Sequence, residues 1–108
     1  MSEHNLTKNA YRALCLIYKA FLNRTKQGVS RRSAILFLDY SIFKDENLYN
    51  SNTTDFRAAL NELKRARYID LYVDDGFKLL DSGIALMENR FKDGLSEVID
   101  FITKIPFH

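Results

Sequence analysis

The chain has 108 residues, 46% hydrophobic and 28% charged, and its sixteen basic and fourteen acidic side chains leave a net charge of +2. That length suits one domain, residues 1–108, around one core, and the composition is that of a folded globular chain rather than a disordered one. No apolar run approaches the roughly 18 residues of a membrane span, and the opening MSEHNLTKN lacks the charged-then-apolar order of a leader, so a cytoplasmic protein is expected.

Cys15 is the sole cysteine, which excludes an internal disulfide and every multi-cysteine metal site. Among Leu14, Leu16 and Ile17 it reads as a small buried hydrophobe, with a redox sensor as the alternative. His4 and His108 sit near opposite ends of the chain, and neither is placed to act as a catalytic base. With no glycine-rich phosphate loop and no nucleophile–base spacing, the chain is not expected to be an enzyme, and no cofactor or small-molecule substrate is implied.

Leu6, Ala10, Ala13, Leu14, Ile17, Tyr18 and Phe21 recur at helical spacing and predict a first helix over residues 5–26, closed by Gln27 and Gly28. Ser30 is a capping residue for a second helix reaching residue 39 or 40, with Ala34, Ile35, Phe37 and Leu38 on its buried side. Residues 41–52 read as a connector with one irregular helical turn, carrying Ile42, Phe43, Leu48 and Tyr49. A third helix follows over 54–67.

Two short runs rich in β-branched and aromatic residues, 68–72 and 77–80, flank Asp74, Asp75 and Gly76, a favoured hairpin turn. Ser82 is placed to cap a further helix to about residue 92. Beyond Asp93 and Gly94, a last helix over 95–105 carries Leu95, Val98, Ile99, Ile102 and Ile105 on one stripe and stops at Pro106. That stripe either packs on its own domain or makes the chain a homodimer.

The stretch TTDFRAALNELKRARYIDLYVDDGFKLLDSGIALME resembles the recognition helix, wing hairpin and following helix of winged helix-turn-helix regulators, over about a third of the chain. The resemblance implies a mostly α fold with a small β hairpin, a winged helix-turn-helix plus an extra C-terminal helix. It implies double-stranded DNA as the partner.

On the third helix Phe56, Ala59, Leu60 and Leu63 share the core edge. The opposite face then presents Thr54, Arg57, Ala58, Asn61 and Arg65, with Lys64 on the flank. Arginine pairs bidentately with guanine, asparagine with adenine, and threonine offers a hydroxyl or methyl contact, so this face has the chemistry of major-groove readout. The bland alternative is a solvated helix face, and Asp55 and Glu62 lie along one side of it.

Arg31 and Arg32 open the second helix, where the resemblance implies phosphate contacts that position without reading sequence. Lys78 is the one cation close to the hairpin tip, whose Asp74 and Asp75 are unfavourable beside phosphate. The wing therefore points away, contacts a protein, or marks a fold turned to protein binding. The expected function is a small dimeric transcriptional regulator reading the major groove with the third helix. The alternative is a winged-helix protein-interaction adaptor of phage or plasmid type, using the acidic wing and Tyr40, Phe43 and Tyr49.

Overall fold

Ala13, Leu14, Cys15, Leu16, Ile17 and Tyr18 follow one another without a polar break, and all six are buried. A helix apolar on nearly every side must be surrounded, so α1 (Lys8–Lys26) forms the axis of the fold and the other elements pack around it. Thr7 caps it, its hydroxyl accepting from the Ala10 amide. Gly28, at φ 96°, ends it, with the Val29 amide reaching the Arg24 carbonyl at 3.0 Å and the Gly28 amide the Thr25 carbonyl at 3.1 Å. The computed structural model describes residues 6–38, 53–72 and 76–104, with the side chains of 53–55 outside that description.

Ser30 caps α2 (Arg31–Ala34), its hydroxyl accepting from the Ser33 amide at 3.3 Å. The helix predicted to run on to residue 39 or 40 stops at Ala34 instead, and β1 (Leu36–Phe37) follows. Two distant groups impose the change. The Arg24 guanidinium donates to the carbonyls of Leu36 at 2.6 Å and Ala34 at 3.3 Å, while its cation lies 4.2 Å from the centre of the Phe37 ring. Burial lowers the Arg24 pKa from its ordinary value. The Leu79 amide donates to the Ile35 carbonyl at 2.9 Å. Ala34 and Phe37 are buried as expected, but Leu38 is 85% exposed.

The connector predicted over 41–52 lies outside the described residues. From Thr53 the chain forms α3 (Thr53–Arg65), followed by β2 (Ile69–Leu71) and β3 (Phe77–Leu79). The three strands make one antiparallel sheet in the order β1-β3-β2. Leu36 faces Lys78, which faces Asp70 in turn; Phe37, Phe77 and Leu71 form the neighbouring row. Phe37, Ile69, Phe77 and Leu79 turn into the core, and the Phe37 and Phe77 rings stack at 4.8 Å. The Tyr72 amide donates to the Gly76 carbonyl at 2.9 Å; Asp74 and Asp75 lie outside the described residues.

α4 (Asp81–Arg90) begins two residues earlier than a Ser82 cap implies. Leu80 holds the cap position without a side-chain bond, fixed there because its amide donates to the Tyr68 carbonyl at 3.0 Å. Ser82, inside the first turn, donates its hydroxyl to the Arg67 carbonyl instead. Gly83 permits this seating, since a Cβ there would stand 2.6 Å from the Tyr68 carbonyl oxygen and 3.0 Å from Leu79 Cδ1.

α5 (Leu95–Lys104) packs on α1, burying Val98 and Ile102. The molecule is thus a compact, mostly α-helical globule, with five helices and a small three-stranded antiparallel sheet among its described residues. None of the described helices is long and apolar enough to cross a membrane.

Candidate functional site

α3 sits against α1 and β2 through Phe56, Ala59, Leu60 and Leu63, all buried. Helical geometry then fixes the other side, where Arg57, Ala58, Asn61, Lys64 and Arg65 are exposed. Thr54 lies in the first turn of the same helix, and its side chain falls outside the described residues. Four of the eight candidate residues, Arg57, Asn61, Lys64 and Arg65, are therefore gathered on one open helical surface.

Of the two acids expected to repel phosphate from this helix, Asp55 has its side chain outside the described residues and Glu62 is turned to the start of α1. Its carboxylate accepts from the Thr7 amide at 2.7 Å and from the Thr7 hydroxyl at 2.9 Å. There the negative charge meets the positive end of the α1 dipole.

The remaining candidates are placed differently. Arg31 pairs with Asp81 at 3.6 Å and lies 5.8 Å from the centre of the Phe21 ring, with Arg32 exposed beside it in α2. An ion pair this exposed contributes little, about 0–1 kcal/mol. Lys78 is half-buried in the middle of β3, on the sheet face opposite the core, between Asp70 and Leu36. That face is turned away from the core that holds α3, so Lys78 does not join the α3 surface.

Arg67 is a further cation beside the expected helix-turn-helix, legible in the sequence as such but outside the set of groove-reading residues. α3 ends with the Tyr68 amide donating to the Leu63 carbonyl at 3.0 Å and the Arg67 amide to the Lys64 carbonyl at 2.9 Å. This closing pattern requires a left-handed residue, and Arg67 adopts φ 66°. For a residue with a Cβ that conformation costs about 1–2 kcal/mol, more than the roughly 0.3–1 kcal/mol a cation gains at a helix C-terminus. The signal available in the sequence was a helix end with no glycine between Arg65 and Ile69.

Elsewhere, the fully buried Cys15 thiol has its pKa pushed up to about 12 by burial, partly offset by the charge of Arg90. It is a packed side chain, not a nucleophile. Among the described residues no group of three His, Cys, Asp or Glu side chains could hold a metal ion. Comparison with family models, with curated proteins and with solved structures finds no match.

Proposed function

We propose that the protein is a small DNA-binding regulator whose α3 enters the major groove of a duplex. The observation that carries this reading is the two-sidedness of α3. Phe56, Leu60 and Leu63 hold it in the core while Arg57, Asn61, Lys64 and Arg65 stand exposed on a rigid, helix-borne surface. The order β1-β3-β2, with the strand before α3 laid against the second strand of the hairpin, supports a winged helix-turn-helix reading of the fold.

In this reading Arg57 and Arg65 take guanine edges or phosphates, Asn61 an adenine edge, and Lys64 the backbone. Dimerisation would use what α5 leaves open. Val98 and Ile102 are spent on α1, so the contact falls to Ile99, 38% exposed, and the partly buried Leu95.

The test is binding of a mixed-sequence duplex at several salt concentrations, with Arg57→Ala and Arg65→Ala alongside. Binding that weakens with salt and weakens further in both variants is expected; salt-independent binding, or variants equal to the parent, would count against it.

A second reading, a protein-interaction adaptor, is favoured by the outer sheet face. Leu36 and Leu38 on the β1 edge and Tyr72 beyond β2 are 40%, 85% and 44% exposed. Tyr40, Phe43 and Tyr49, expected to take part, lie outside the described residues. Leu38→Ser and Tyr72→Ser would abolish partner capture while leaving duplex binding unchanged.

A further inference from the structure

We infer that the phosphate backbone flanking the groove is gripped at the C-terminal end of α3 by Arg67, at the base of the hairpin. The inference rests on the DNA-binding reading above and adds a positioning residue to it.

Two left-handed positions among the described residues are glycines, Gly28 at φ 96° and Gly94 at φ 79°. The third is Arg67, the one non-glycine residue with positive φ among the described residues. A glycine would close α3 with less strain. The backbone therefore supplies no reason for an arginine, and strain held in place by its surroundings points to a task for the side chain.

The surroundings hold it firmly. The Arg67 carbonyl accepts from the Ser82 hydroxyl, and the next carbonyl, that of Tyr68, accepts from the Leu80 amide at 3.0 Å. Gly83 lets α4 close over Tyr68. The exposed Arg67 side chain thus leaves a fixed platform, and no carboxylate among the described residues pairs with its guanidinium.

Its neighbourhood holds three further cations and one acid, Asp81, which is engaged by Arg31. Lys64 and Arg65 occupy the last turn of α3, and Arg31 is held by Asp81, the residue before the Ser82 that anchors Arg67. An arginine fork suits the paired oxygens of a phosphodiester. A contact launched from this end needs nothing from the acidic hairpin tip.

Arg67→Gly provides a clean test, because it removes the cation while relieving the backbone. Duplex affinity is measured across a salt series at a temperature where every variant is folded, with Arg67→Lys and Arg57→Ala in parallel. The expected result is that Arg67→Gly melts no lower than the parent and binds about three- to tenfold more weakly. Its slope of log K against log salt is shallower by about 1, equally on all duplex sequences, and Arg67→Lys restores that slope. An unchanged slope in Arg67→Gly beside a weakened Arg57→Ala overturns the inference and leaves the DNA-binding reading standing. A parent chain with no salt-dependent binding overturns both.

Discussion

Glu62 and Thr7 lie 55 residues apart in the chain, yet the Glu62 carboxylate takes both the Thr7 amide and the Thr7 hydroxyl, at 2.7 and 2.9 Å. The contact fastens the start of α1 to the last turn of α3, on the flank of the proposed reading surface. It also removes an acid from the path of an incoming phosphate.

Glu62→Ala is expected to cost about 1 kcal/mol, the usual worth of a helix cap or of a solvent-accessible bond to a charged group. The melting temperature should fall by several degrees. Glu62→Gln, able to keep the bond from the Thr7 amide, should fall less. Equal denaturation curves for all three chains would mean that the contact contributes nothing.

Gly83→Ala runs against helix propensity, which favours alanine by about 1 kcal/mol inside a helix. The added Cβ would sit 2.6 Å from the Tyr68 carbonyl oxygen, a backbone atom also bonded to the Leu80 amide. Overpacking costs typically 1–3 kcal/mol, so the net change is destabilising. Urea unfolding checks this; a variant more stable than the parent would show that α4 can slide off the hairpin base.

Cys15 makes stability depend on alkaline pH. In the folded chain the thiol keeps its proton up to about 12, whereas a thiol at the ordinary value of 9.0 loses it sooner. The unfolded chain then binds fewer protons, so this contribution is complete below pH 9.0 and declines as pH rises toward 12. Cys15→Ala should flatten that decline in denaturant melts, and an aromatic disulfide reagent should leave Cys15 of the folded chain unlabelled at neutral pH. Rapid labelling without unfolding would contradict its buried position.

How much could be read from the residues differs from element to element. α3 was legible because Phe56, Leu60 and Leu63 separate cleanly from Arg57, Asn61 and Arg65 at a period of 3.6 residues. The hairpin strands were legible from their β-branched and aromatic residues and the glycine between them. Ile35, Leu36, Phe37 and Leu38 carry no period at all, and an unbroken apolar run fits a helix or a strand equally well. What decided it was Arg24 and β3, both distant in sequence.

Ser82 departs from its expected capping role for a related reason. Serine is locally a good cap, but the hairpin pins Leu80 to Tyr68 and starts the helix first. Cys15 is buried as expected, but the single face assigned to α1 is too narrow, since Leu16 and Ala20 are buried as well. In the candidate site, the clustering on α3 followed from periodicity. The separate positions of Arg31 and Lys78 depend on tertiary pairing that no local pattern encodes, as does the diversion of Glu62 to Thr7.

The most direct measurement of the central claim is an amide chemical-shift titration of the labelled chain with a short DNA duplex. The account predicts that the shifts concentrate on the exposed side of α3, at Arg57, Asn61, Lys64 and Arg65, and continue to Arg67. Shifts confined to Leu36, Leu38 and Tyr72 on the outer sheet face, or a spectrum the duplex leaves unchanged, would contradict it.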